Sequence, residues 1–299
     1  MNGVITDIQH ASVHDGPGFR SVIFLKGCQM RCFWCHNPET LLREPQLSLE
    51  SNKCLGCGRC VACCDVHRIA EGKHVIDYSR CTACGKCVSA CLPGALSISG
   101  RNMSVDEVIA DISEDIPFYK NSGGGITITG GEPGCQAEFS AEIMRRSREL
   151  GIHTAVETNL GYGEETLRML LEHCDLVMAD LKHIDSAKHL EGTGCPNEQT
   201  LANFRKIDRP LIIRTPVIPG FNDDAAAIRQ MAEFAAELPT LLYYDLLTYH
   251  PLGVAKAVRL GMTGRDKALE PLNSEVMRTF AELAKSTGIT TCLNGKEIK

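Results

Sequence analysis

Three cysteines, Cys28, Cys32 and Cys35, stand at C-x3-C-x2-C spacing directly after the apolar run Val22-Ile23-Phe24-Leu25. Three thiolates on one short loop make an incomplete metal site. Structural zinc and closed iron-sulfur centres take four protein ligands, so a cluster held by three keeps one position for an outside ligand. In residues 52–100, Cys54, Cys57, Cys60 and Cys64 share their spacing with Cys81, Cys84, Cys87 and Cys91, at a period of 27 residues. This is the bacterial two-cluster ferredoxin run, in which three cysteines wrap one 4Fe-4S cube and the fourth crosses to the other. It assigns Cys54, Cys57, Cys60 and Cys91 to one cube, and Cys81, Cys84, Cys87 and Cys64 to the second. Cys63, next to Cys64, is the alternative crossing ligand. Two zinc knuckles are the competing reading, but such sites pair C-x2-C motifs across a longer spacer. Cys63, Cys135, Cys174, Cys195 and Cys292 are then ordinary thiols.

Cysteine is the anomaly of the composition: 16 in 299 residues, against 9 phenylalanines, 6 tyrosines and one tryptophan. Disulfide scaffolds belong to small secreted chains. The N-terminus Met1-Asn2-Gly3-Val4-Ile5-Thr6 has no basic region followed by an apolar stretch, so the expected compartment is a reducing cytosol. No run approaches the roughly 20 apolar residues of a membrane span. The net charge of -6 is spread along the chain without a basic stripe, which argues against a nucleic-acid partner.

These residues need a scaffold, and the chain beyond residue 100 alternates strand and helix signals. Ser104-Val105-Asp106-Glu107 is a capping box, and Val108, Ile109, Ile112 and Ile116 follow at helical spacing, predicting a helix over 104–117. Short β-like runs lie at 126–129, 152–156, 176–179, 211–213 and 241–247, separated by apolar helical stripes. Phe139, Ile143, Met144 and Leu150 form one such stripe, expected to face the core. With residues 22–25 counted first, six strands alternate with helices. That implies a parallel sheet, either open and doubly wound or an incomplete barrel, with ligands at the carboxyl ends of the strands. Every run here ends in polar chemistry: the three-cysteine loop, Gly130-Gly131-Glu132-Pro133, Glu157-Thr158-Asn159, Asp180-Leu181-Lys182, Arg214, and His250-Pro251.

Together, the three-cysteine loop, the Gly-Gly-Glu and the strand-end acids resemble the radical S-adenosylmethionine superfamily. The resemblance implies a partial (β/α)6 TIM-like barrel formed by residues 1–51 and 101–299, with a ferredoxin-like 2x(4Fe-4S) domain inserted at 52–100. It implies three 4Fe-4S clusters, the one on Cys28, Cys32 and Cys35 leaving its fourth iron to S-adenosylmethionine. One-electron reduction then cleaves that cofactor to methionine and a 5'-deoxyadenosyl radical. Gly130, Gly131 and Glu132 are implied to bind the methionine ammonium, and Glu157 the polar part of the cofactor. Asp180 and Lys182 match a D-x-K at the end of the fourth strand, His250 matches a histidine near the ribose, and Trp34 an aromatic near the adenine. Arg214 joins the cofactor-binding set through its place near a strand end.

Asp15-Gly16-Pro17-Gly18-Phe19-Arg20, Lys26-Gly27-Cys28, Cys35-His36-Asn37-Pro38, Thr193-Gly194 and Pro219-Gly220 narrow the resemblance to the glycyl-radical enzyme activating enzymes. In that family Asp15 lies near the cofactor, beside a possible monovalent cation. The substrate implied is a backbone glycine of a partner glycyl radical enzyme, which loses its α-hydrogen. Reduced flavodoxin or ferredoxin is the implied electron donor, and the expectation is a cytoplasmic monomer of an anaerobic or facultative microbe. Glu157 stands where the short formate-lyase activase type has aspartate, and Leu160 where it has glycine. Two alternatives stay open: radical chemistry on a small molecule or peptide side chain, and a ferredoxin-type electron carrier. The carrier accounts for residues 52–100 and nothing else.

Overall fold

The computed structural model describes residues 1–262, 264 and 268–299. Its strands are β1 (Asn2–Ser12), β2 (Arg20–Leu25), β3 (Gln46–Leu49), β4 (His67–Ala70), β5 (Lys73–Ile76), β6 (Leu96–Ser99), β7 (Arg101–Ser104), β8 (Gly125–Gly130), β9 (His153–Thr158), β10 (Leu176–Asp180), β11 (Leu211–Val217), β12 (Leu241–Thr248), β13 (Thr291–Leu293) and β14 (Lys296–Glu297). Ten of them form one sheet in the order β14-β13-β12-β11-β10-β9-β8-β2-β1-β7. From β2 through β8 to β13 all neighbours are parallel; β1, β7 and β14 add antiparallel edges. The sheet keeps two separate edges, so the barrel is partial.

All six expected strands form. β1 was not expected, because two register irregularities, between Ile5 and Asp7 and between Gln9 and Ser12, break the two-residue alternation that would announce it. The expected helix over 104–117 is two helices, Val105–Ser113 and Ile116–Ser122. Pro117 cannot continue the first, since its ring would meet the carbonyl four residues back. Asp115, in the break, instead accepts hydrogen bonds from His10 and Ser21 at 2.6 and 2.5 Å. Leu150 follows the end of helix Ala137–Glu149 and is 43% exposed, outside the stripe assigned to it.

Alternation along the strands decides where the chemistry points. Val156, Val177, Ala179, Ile213 and Leu246 face the main apolar core with Phe139, Ile143, Met231 and Phe280 of the helices. The opposite face carries a small apolar group, Ala155, Leu176, Met178 and Ile212. Two residues further along these inner rows come Glu157, Asp180 and Arg214, which a period of two must place on the same face.

The cysteine-rich stretch is tied together by the antiparallel pair β3 and β6 and holds the hairpin of β4 and β5. Its sequence repeat is a structural one. The turns Ser51–Lys53 and Tyr78–Arg80, and the short helices Arg59–Cys63 and Lys86–Ala90, are each 27 residues apart. Tyr78 Oη donates to the Arg259 carbonyl at 2.9 Å, joining this unit to helix Leu252–Arg259 of the barrel.

Candidate functional site

The three-cysteine loop leaves β2 and is mounted on the barrel rim by backbone contacts. Glu132 N–H donates to the Gly27 carbonyl at 2.8 Å, Arg31 N–H to Thr193 at 2.6 Å and Phe33 N–H to Gly192 at 3.2 Å. A Cβ on Gly131 would lie 2.2 Å from the Gly27 oxygen, and one on Gly253 would lie 2.1 Å from the Cys35 oxygen. Only glycine lets both supports approach so closely. The close approach that Gly131 permits is thus to the cysteine loop itself, while a Cβ on Gly130 would meet the Leu25 backbone at the end of β2.

Cys28, Cys32 and Cys35 act on one another. Burial pushes the Cys28 thiol far up, and Glu132, Cys32 and Cys35 add to the shift. Thiols so placed ionise only beside strong positive charge, which is what a metal centre supplies. Lys182 contributes a fixed cation. Burial opposes its charge, but Asp180, 2.6 Å away, and the Cys32 and Cys28 sulfurs hold the ammonium well above its ordinary value. The donor set therefore fits a cluster bound by three thiolates.

Glu132 is 1% exposed. It accepts from Gly134 N–H at 3.0 Å, Thr158 Oγ1–H at 2.7 Å and Asn159 N–H at 2.8 Å. Burial nevertheless pushes its carboxyl up to about 7. Glu157 is the opposite case. Burial would raise it, but the Arg214 guanidinium at 2.7 Å holds it below the usual carboxylate range. Arg214 also donates to the His14 carbonyl at 2.7 Å, fixing the turn that carries Asp15. Asp15 accepts from Ser12, and burial followed by the Glu157 carboxylate pushes it up. Asp15, Glu157 and Arg214 thus form one cluster on the inner face.

Trp34 packs on Phe221 with ring centroids 4.6 Å apart, and Phe221 meets His183 at 5.4 Å. His250 is exposed and stacks on His36, centroids 6.5 Å apart, one residue from Cys35. The structure therefore gathers the rim residues named from the sequence around the cysteine loop or the adjoining inner face.

In the cysteine-rich stretch, Cys54, Cys57, Cys60 and Cys91 line one cavity, and Cys64, Cys81, Cys84 and Cys87 line another. These are the two sets expected from the crossing pattern, and Cys63 lines neither cavity. Four thiols around each hollow fit a closed cluster.

Several contacts lay outside the sequence reading. Asn159 Nδ2 lies 3.8 Å from Cys28 Sγ, and its Oδ1 accepts from Gln29 Nε2 at 2.7 Å, so it orients the first cysteine. Its place in the strand-end triplet was its only signal. Phe221 follows Pro219-Gly220 in a loop where nothing local marks it. Among the described residues no helix is long and apolar enough to cross a membrane.

Residues 22–235 match the family model of the radical SAM superfamily. The chain is 40% identical over 267 residues to the isethionate sulfite-lyase activating enzyme of Nitratidesulfovibrio vulgaris, covering 85% of this chain and 86% of that protein. It is 38% identical over 306 residues to the benzylsuccinate synthase activating enzyme of Thauera aromatica, covering 98% and 92%. Among solved structures, QueE from Escherichia coli superposes with a TM-score of 0.51 at 14% identity, over 98% of this chain and 94% of that one, a likeness of fold.

Proposed function

The chain belongs to the radical SAM superfamily and, within it, to the activating enzymes of glycyl radical enzymes, and from that premise we propose how its residues divide the work. The observation that carries the reading is the convergence of Cys28, Cys32 and Cys35 with the Lys182 ammonium at the carboxyl ends of parallel strands. A cluster on these cysteines with bound S-adenosylmethionine supplies hydrogen-atom abstraction, here from a backbone glycine of a cognate glycyl radical enzyme. Asn159 orients Cys28, and Lys182 offsets the charge of the thiolates. Glu132, with Gly130 and Gly131, takes the methionine ammonium; Trp34 and His250 take the adenine and ribose. Glu157, Arg214, Asp180 and Asp15 frame the polar end of the cofactor, where a monovalent cation has acidic partners.

The two further four-cysteine sets hold two auxiliary 4Fe-4S cubes in an inserted unit of residues 52–100, the barrel being residues 1–51 and 101–299. Reduced flavodoxin or ferredoxin supplies the electron, and the protein works as a cytoplasmic monomer in an anaerobic or facultative microbe. The open side of a partial barrel suits a folded partner's glycine loop better than a closed barrel would. The test is anaerobic reduction with S-adenosylmethionine and the glycyl radical enzyme encoded nearby. The expected results are 5'-deoxyadenosine and a doublet glycyl radical in electron paramagnetic resonance, both lost in Cys32→Ala. Cofactor cleavage without a radical on the partner would favour a small-molecule or peptide substrate instead.

A further inference from the structure

Two histidines of the inserted unit stand between its two cysteine-lined cavities. His74, on β5, lines the first cavity, with Nδ1 at 3.6 Å from Cys54 Sγ and Nε2 at 3.5 Å from Cys60 Sγ. His67, on β4, lines the second. The imidazoles meet across the hairpin, His67 Nδ1 lying 2.9 Å from His74 Nε2. His67 is 2% exposed, and its Nε2 has no partner among the described residues. A buried ring nitrogen without a partner is costly, and one lining a cavity can be completed by what the cavity holds.

We propose that His67 and His74 are positioning residues forming a hydrogen-bonded bridge between the two auxiliary clusters, through which each cluster shares in setting the other's reduction potential. The proposal rests on the reading of two four-cysteine cubes given above. A neutral imidazole has one N–H, so the pair has two complete donor arrangements. In one, His67 Nδ1–H donates to His74 Nε2, and His74 Nδ1–H donates to the Cys54 thiolate. In the other, His74 Nε2–H donates to His67 Nδ1, and His67 Nε2–H serves the second cavity. The donor at one end is available only when the other end lacks it. Hydrogen bonds to cluster sulfurs set reduction potentials, and a second shell sets them through the ring it orients. The more negative cube draws the donor, so a change at either histidine must register at both cubes.

The test is a redox titration of all clusters, followed by electron paramagnetic resonance, on cluster-replete full-length protein and on His67→Leu and His74→Leu. Iron and sulfide content are measured on each. Expected is a midpoint shift of the cube on Cys54, Cys57, Cys60 and Cys91 in both variants, by about tenfold in the one-electron equilibrium, or about 59 mV: downward in His74→Leu, which removes its donor, and upward in His67→Leu, which leaves the His74 N–H to that cube alone. His67→Leu is the decisive one, because among the described residues the His67 side chain makes no hydrogen bond to the sulfurs of that cube; its effect must pass through His74. His67→Gln and His74→Gln, which keep bulk and a donor, are titrated alongside and should shift less; they decide the result if a leucine variant fails to assemble its cubes. Full cubes with unchanged potentials, or with only the adjacent cube moved, overturn the bridge and leave the cluster reading intact. Zinc without sulfide in the wild-type unit, held for instance by Cys60, His67 and His74, overturns the cluster reading and the bridge together.

Discussion

Glu157 on β9 and Arg214 on β11 meet at 2.7 Å across the intervening strand β10, on the inner face of the sheet. The pair spans three strands and fixes the His14 carbonyl, so it sets the distance between the rim and the turn bearing Asp15. Arg214→Met would strand a carboxylate that burial disfavours. Removing one partner of a buried pair costs 3–5 kcal/mol, and with the Glu157 side chain 21% exposed the lower end, about 3 kcal/mol, is expected. Anaerobic urea unfolding measures it, and the double variant Glu157→Gln/Arg214→Met should recover much of the loss. The folded carboxyl is held below its unfolded value. The pair's contribution is therefore fully present above the ordinary carboxylate range and is lost as pH falls through the folded value.

Glu132 carries a prediction about proton release. With its carboxyl near 7, about half of the molecules hold a proton there at neutral pH. A cation brought against it stabilises the ionised form. Binding of S-adenosylmethionine at pH 7 should therefore release about half a proton, seen as a dependence of the calorimetric enthalpy on buffer ionisation. The release should shrink toward zero as pH rises above 7 and disappear in Glu132→Gln. A binding enthalpy independent of buffer in the wild type would remove Glu132 from the ammonium site.

The cysteine runs were legible because metal ligation fixes both residue type and spacing, and the six parallel strands because each is a short apolar run between helical stripes. Contacts between distant segments were not. Nothing near Gly253 announces that Cys35 will rest against it. Nothing in Arg214 announces that its partner lies 57 residues earlier. His67 and His74 escaped notice for a different reason: a histidine pair seven residues apart looks like any other until a hairpin folds it together. β1 was hidden by its irregular register.

Gly131→Ala tests the mounting of the cysteine loop. Its Cβ would lie 2.2 Å from the Gly27 oxygen and 2.7 Å from the Thr40 oxygen, both backbone atoms that cannot swing aside. The loop must shift, and with it Cys28. Iron analysis should show loss of about one cube per chain, with the iron of the two cubes proposed for residues 52–100 retained and S-adenosylmethionine cleavage abolished. A full iron complement with normal cleavage would mean that the loop relaxes without cost.

Leu160 poses the opposite question, because it occupies a position where the resemblance to shorter activases calls for glycine. Its φ is +57°, in the left-handed region, which costs a non-glycine residue about 1–2 kcal/mol. Glycine would relieve that strain. The leucine side chain, however, is 0% exposed within the main core, and deleting a buried leucine costs about 2–5 kcal/mol in lost transfer energy and residual cavity. Burial should win. Leu160→Gly is therefore expected to be less stable than the wild type by about 1–3 kcal/mol, read as a lower urea midpoint with unchanged m-value. Its backbone should stay in place, since Leu160 N–H donates to Thr158 Oγ1 at 3.1 Å and its carbonyl accepts from Asn203 Nδ2 at 2.9 Å. Those bonds hold the neighbouring Asn159 against Cys28, so the affinity for S-adenosylmethionine should change little. An equal or higher midpoint would show that backbone strain outweighs the side chain's place in the core.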